Sequence, residues 1–324
     1  MSTPKLAVVI HAEEEFDWDS GFYRSNTNVT HCDELIGVID KILSHDGKVT
    51  LAMDYPFTTS QGGKRVIKKY KHLAGNKIEF ATHLHPWVNP PFEDDNDEVK
   101  NAYSYPCNLS EEMELRKLKL LTDAIAIETG SQPQTYLAGR YGIGKNTPQI
   151  LENLRYTIDI SISAYCDFSH QEGPDFSACS NRVYQSGALT YLPHTCSVLS
   201  SVPFIQNYLN RHPNSFNKIN SNLITRLLAK LVRIRKYRLS PEGFNLAQMK
   251  QVMESQIKIG QNEFILSFHS PSIKAGKTPY AETKNEADAL ANRTVDFVHW
   301  FINDAGGEAF LPGSLNPSMN EEAE

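Results

Sequence analysis

The most constraining feature of this 324-residue chain is a set of short apolar runs that each end in imidazole or carboxylate. Leu6-Ala7-Val8-Val9-Ile10 leads into His11 and then Glu13, Glu14 and Glu15. Residues 77–82 lead into His83 and His85, and residues 263–268 into His269. The continuous run Leu6–Ile10 marks a strand buried on both faces, the kind that parallel sheets contain, and the other two also read as strands. The runs lie far apart in sequence, so their polar ends meet only in a fold that gathers the carboxyl ends of strands.

The segments between them read as helices. Residues 33–45 carry apolar side chains at helical spacing with acidic groups at the start, and Asp46-Gly47 turns the chain into a strand over 48–53 that ends at Asp54. Helices are expected over 62–73, 109–129 (capped by Ser110 or Asn108), 147–154, 224–239, 245–259 and 282–305. Further strands are expected over 135–138, 156–162 and near 188–193. Residues 89–105, with two prolines and an acidic cluster at 93–98, read as a loop, and 164–186 as a long irregular one. The alternation of strand and helix predicts an α/β fold with parallel strands, in a barrel or a doubly wound sheet. One domain is expected over 1–312, followed by an acidic flexible tail over 313–324.

At 40% hydrophobic and 22% charged residues the chain has the balance of a soluble globular protein, and its net charge of −6 argues against a general nucleic-acid binder. No stretch approaches the roughly 18 apolar residues a membrane span requires, and the first apolar run is too short for a signal-peptide core. A cytoplasmic protein is expected. Five scattered cysteines with no C-x-x-C pair point to reduced thiols rather than a disulfide framework or zinc knuckle.

His83 and His85, two apart on a strand, share a face, so both rings can reach one ion. Alternatively, one caps the loop while the other packs on Trp87. Three adjacent glutamates repel unless water or a cation screens them, so the triplet is either a solvated turn or half of a ligand set with His11. His269 is followed by Ser270-Pro271-Ser272 and is either a capping residue or a catalyst. Arg140, in a Gly-Arg-Tyr-Gly turn, fits an anion site or a surface ion pair. Arg226, Lys230, Arg233, Arg235, Lys236 and Arg238 on the expected helix over 224–239 suit a solvated face, or attract an anionic polymer.

Together these segments resemble the polysaccharide deacetylases of carbohydrate esterase family 4, the NodB-homology fold, and within it a WalW-like branch. The resemblance rests on His-Ala-Glu-Glu-Glu-Phe-Asp-Trp at 11–18, His-Leu-His-Pro-Trp at 83–87 and Ala-Gly-Arg-Tyr-Gly at 138–142. It also draws on Asp-Ile-Ser at 159–161, Leu-Ser-Pro-Glu-Gly-Phe at 239–244 and His-Ser-Pro-Ser at 269–272. It implies a distorted (β/α) barrel of about seven parallel strands. It also implies a divalent metal, zinc first with cobalt, nickel or manganese as alternatives, held by Glu13, His83 and His85. The base position falls on His11, with Glu14 as the other candidate. Arg140 would orient the base and Tyr141 help hold an oxyanion. His269 would protonate the leaving amine, steadied by Asp159, and Trp87 and Ser270 would join Tyr141 in contacting an acetylated carbohydrate. Two positions depart from the family: His11 stands where an aspartate is usual, and H-x-H replaces H-S/T-x-x-H.

Overall fold

β1 (Lys5–Ala12) is almost wholly buried and pairs in parallel with strands on both sides, as its continuous apolar run predicts. The computed structural model describes residues 3–221 and 223–315. In chain order, α1 (Cys32–Ser44), β2 (Val49–Met53), α2 (Tyr55–Thr59), α3 (Gln61–Tyr70), β3 (Ile78–Leu84), α4 (Glu111–Thr129), β4 (Thr135–Ala138), α5 (Thr147–Asn153) and β5 (Ile158–Asp159) follow. Then come β6 (Tyr184–Ser186), β7 (Leu189–Tyr191), β8 (Cys196–Leu199), α6 (Pro203–Arg211), α7 (Pro213–Asn217), α8 (Leu223–Leu231) and β9 (Arg235–Arg238). The last are α9 (Leu246–Ile257), β10 (Glu263–His269), α10 (Lys284–His299) and β11 (Glu308–Ala309).

The main sheet runs β10-β1-β2-β3-β4-β5-β7-β6; its first seven members are parallel, and β6 turns back antiparallel at the edge. The open side is bridged by single bonds rather than a ladder. The Ser267 amide donates to Leu239, the Leu239 amide to Thr195 and the His194 amide to Ile162. The expected distorted barrel of about seven parallel strands is therefore present. Helices cover its outside and one apolar cluster fills the space between, from Leu6 on β1 to Phe297 on α10.

Local signals fix many boundaries. Ser110 caps α4 by accepting from the Met113 amide, and Asn245 and Thr283 open α9 and α10 with capping boxes. α4 stops at Gly130, whose φ of 86° is the left-handed cap that glycine takes at least cost. The expected strand over 156–162 shortens to two residues. The expected helix over 224–239 is incorrect: α8 ends at Leu231, Arg233 turns left-handed at φ 53°, and Arg235–Arg238 form β9 against β8. Cross-strand pairing there overrides helical spacing. Of the tail expected over 313–324, Gly313 and Ser314 belong to a 3-10 turn over Pro312–Ser314, and residues 316–324 lie outside the described residues. All five cysteines are free, and no helix among the described residues is long and apolar enough to cross a membrane.

Candidate metal centre

Parallel register sets the geometry. His11 on β1 stands beside His269 on β10 and beside Ala52 on β2, and Ala52 stands beside Ala81 on β3. Two residues beyond these positions come Glu13 and His83, on the same faces as His11 and Ala81. The small Ala52 and Ala81 leave room for the rings around them.

The His83 Nδ1–H donates to the Leu137 carbonyl at 3.1 Å, and the His85 Nδ1–H to Glu14 Oε2 at 2.8 Å. A neutral imidazole has one N–H and one lone pair, so these bonds assign both lone pairs to Nε2. The two Nε2 atoms face each other 2.9 Å apart, and Glu13 Oε2 lies 3.3 Å from one and 3.6 Å from the other. Three acceptors thus converge with no donor among them, and Glu13 Oε2 is buried without a hydrogen-bond partner among the described residues. Such a cluster is repulsive unless a cation or a proton sits within it. Ligand atoms of a tetrahedral zinc site stand about 3.3 Å apart, so two imidazoles and a carboxylate at these separations fit a divalent ion with one side open. His11 extends the set, since its ligand atom lies within 4.8 Å of those of Glu13 and His83, and its buried Nε2 is also unpartnered.

Behind His85 stands a buried acidic layer. Glu14 accepts from His85 Nδ1 and from Trp87 Nε1 at 2.9 Å, and its amide donates to Asp54 Oδ2 at 2.8 Å. Burial, opposed by its hydrogen bonds and reinforced by the Glu13 charge, pushes the Glu14 carboxyl up to about 7. Glu14 is fully buried behind the ring, which places it as the partner orienting His85 rather than as a base reaching substrate. Glu15 turns aside to Thr30, His31 and Lys277, whose contacts outweigh burial and hold it well below the usual carboxylate range.

The opposite wall differs. His269 Nδ1 meets both oxygens of Glu242, at 3.0 and 2.9 Å, and its amide donates to the same carboxylate. Burial disfavours the imidazolium, yet Glu242 and Glu13 raise the His269 pKa to about 9. His11 and His194, by contrast, lie well below 6.5, held there by burial and by neighbouring cationic groups. Burial likewise lowers His83 and His85, while Glu13 is lowered despite burial because His269, His83 and His85 surround it.

Several expected roles move. The partner expected in Asp159 is Glu242; the Asp159 Oδ1 instead accepts from the Ser161 amide at 2.7 Å, on β5. Arg140 lines the cavity, but its guanidinium is committed to Asn101, Ser104 and Gln171 and lies over the Tyr105 ring, not against His11. Ser270 is fully buried: its Oγ meets His31 Nε2 at 2.7 Å and accepts from the Glu13 amide at 3.2 Å, so it braces the segment carrying Glu13 and is not among the cavity-lining residues. Trp87 stacks on His85 with centroids 4.2 Å apart, and Tyr141 faces the cavity with its hydroxyl held by Arg238 at 3.0 Å. Arg140 and Tyr141 are successive left-handed residues, φ 53° and 60°, a conformation costing about 1–3 kcal/mol for each side chain. Gly139 precedes them because a Cβ there would strike the Leu84 carbonyl and come within 2.9 Å of the His85 ring.

The cavity holds about 250 Å³, with His11, Glu13, His83, His85 and His269 at its floor. Phe16, Trp18 and Phe22 form its rim, with the buried Trp87 behind His85; Trp18 is 45% exposed and stands 5.9 Å from Tyr280, which is 40% exposed. Sequence reasoning missed Glu242 and His194. His194 carries the same signal as the residues it found, closing the apolar strand near 188–193; Glu242 follows the basic Arg235–Arg238 segment and carries no such signal, its only flag being the Leu-Ser-Pro-Glu-Gly-Phe segment.

No family model and no curated protein matches this chain. Solved structures do. A glycoside hydrolase/deacetylase from Parabacteroides distasonis superposes with a TM-score of 0.55 at 7% identity, over 95% of this chain and 69% of that one. The 4-alpha-glucanotransferase from Thermococcus litoralis superposes at 0.54 with 9% identity, over 97% of this chain, which spans only 40% of the enzyme's length. Peptidoglycan deacetylase from Bacillus subtilis gives 0.42 at 10% identity, over 95% and 87%. At these identities the likeness is one of fold: a curled, mostly parallel half-barrel.

Proposed function

We propose that the protein is a metal-dependent hydrolase that removes an acetyl group from an N-acetylated sugar of a surface polysaccharide or its precursor, within a WalW-like branch of the polysaccharide deacetylases. A cytoplasmic location would make the precursor the substrate. The observation that carries this reading is the donorless convergence of Glu13, His83 and His85 on the floor of a cavity whose other wall holds a charged histidine. Two proteins of similar fold bear names from glycan chemistry. The aromatic rim offers flat apolar faces to a sugar ring.

Zinc, or cobalt, nickel or manganese in its place, would supply Lewis acidity at the acyl carbonyl. The side chains supply the rest. His11, held neutral, takes the proton of the attacking water at Nε2. Water adds to the carbonyl carbon, the C–N bond breaks, and acetate departs. His269, with Nδ1 tied to Glu242, gives a proton from Nε2 to the departing amine. Tyr141, fixed by Arg238, bounds the acyl side of the cavity.

The test pairs metal analysis of purified protein with acetate release from N-acetylglucosamine oligomers. One equivalent of metal and turnover that chelation abolishes are expected. Fully metallated protein that releases no acetate from any acetylated glycan overturns the reading. The exposed Trp18 and Tyr280 favour one alternative, a catalytically silent glycan binder on the same fold, because stacking needs no metal. Binding without turnover that survives His11→Ala and His269→Ala would select it.

A further inference from the structure

The charge of this chain is segregated. Between Asp175 and Glu242 there is no acidic residue and there are nine lysines or arginines. That segment therefore carries +9, and the other 23 basic and 38 acidic residues carry −15. The same segment holds α6, α7 and α8, which leave the barrel between β8 and β9. On α8, Leu223, Leu227 and Leu231 recur at every fourth position and are 72, 57 and 77% exposed. Thr225 and Ala229, on the other side of the helix, are more covered. An ordinary surface helix turns its leucines inward; this one leaves them in water and turns Thr225 and Ala229 toward the protein. The Ser201 amide donates to the Val232 carbonyl at 3.0 Å, which sets the start of α6 against the end of α8 and brings in Phe204, 79% exposed. Exposed Lys230 and Arg233 flank the leucine stripe.

We propose that α6 and α8 form a docking surface for an anionic lipid bilayer. Phe204 and the leucines enter the boundary between headgroups and acyl chains, and the lysines and arginines meet the lipid phosphates. Charge complementarity selects this occupant. A nucleic acid or acidic glycan would satisfy the cations and leave the leucines in water. A second copy of the chain would bring +9 against +9. β9 joins the surface to the cavity, since its Arg238 holds the Tyr141 hydroxyl. The inference does not depend on the reaction proposed above.

Flotation of the full chain with phosphatidylcholine vesicles, with and without phosphatidylglycerol, tests it. Partition is expected only with the anionic lipid, weakening with salt. Lys230→Gln and Arg233→Gln should each lower it about fivefold. The pair Leu227→Gln and Leu231→Gln should lower it about tenfold or more while circular dichroism and Tm stay unchanged, because both side chains are exposed. No partition at low salt overturns the proposal. So does partition that the leucine variants leave intact, which marks a polyanion site. A dimer that the leucine variants dissociate, without vesicle binding, overturns it in favour of self-association.

Discussion

The two walls of the cavity use the same side chain in opposite charge states. His83 on β3 and His85 just past its end are neutral, each with Nδ1 spent on an acceptor and Nε2 turned to Glu13. His269 on β10 is held as a cation because Glu242 grips its Nδ1 with both oxygens. Burial pushes all three rings toward neutrality. What separates them is the group behind the ring. Glu14, in the dry layer with Asp54, is raised to about 7 and gives His85 an acceptor with little surplus charge. Glu242 is also bonded by Ser272 Oγ and sits nearer solvent, with enough charge to keep the proton on its histidine. The charge state of each histidine is thus set by the residue one layer back.

The comparison breaks most severely if the ligand wall is removed. Glu13→Ala or His83→Ala should lose the metal and drop turnover by about a thousandfold or more, since a Lewis-acid metal contributes several kcal/mol. Metal content and acetate release measured on the same sample check this; full activity with no metal sinks it. Next comes the acid wall. Glu242→Gln should lower kcat about a hundredfold near neutral pH and shift the alkaline limb of the rate, expected at about 9, downward by about one to three pH units. An unchanged limb would separate that limb from His269. Glu14→Gln keeps an acceptor behind His85 but removes its charge. A loss of about ten- to a hundredfold in metal affinity is expected, read by competition with a chelator, with the His269 titration unaltered.

The smallest effect concerns stability in the metal-free protein. The His269 pKa rises from 6.5 toward 9 on folding, so the folded state binds the proton more tightly. The resulting stabilisation is complete below about 6.5 and is lost as pH rises through about 9. It should amount to on the order of 1 kcal/mol after solvent screening, and should vanish in Glu242→Gln. Denaturant midpoints on either side of that window measure it.

How much of this was written locally can be read residue by residue. β1 announced itself because a strand buried on both faces reads as a continuous apolar run, β3 and β10 as mainly apolar runs, and the candidate site residues stand where each ends. Glu13, His83, His85 and His269 were legible for that reason. Helix α4 and its Ser110 cap followed from spacing and one hydroxyl. The segment 224–239 misled because its basic and apolar residues alternate in a way that suits both a helix and the α8–β9 pair, and only the β8 edge chose between them. Asp159 and Glu242 were indistinguishable as lone acids in the sequence; Asp159 is taken up locally by the Ser161 amide, while Glu242 meets His269 across 27 residues of chain.

The sequence alone determined most of the elements, their alternation of strand and helix, and the chemical types available at the strand ends, since each depends on neighbours within a few residues. Tertiary structure alone decided which nitrogen of each histidine faces the cavity, which carboxylate stands behind it, and which leucines remain in water. Those outcomes depend on burial and on hydrogen bonds between residues distant in the chain, where local periodicity carries no information.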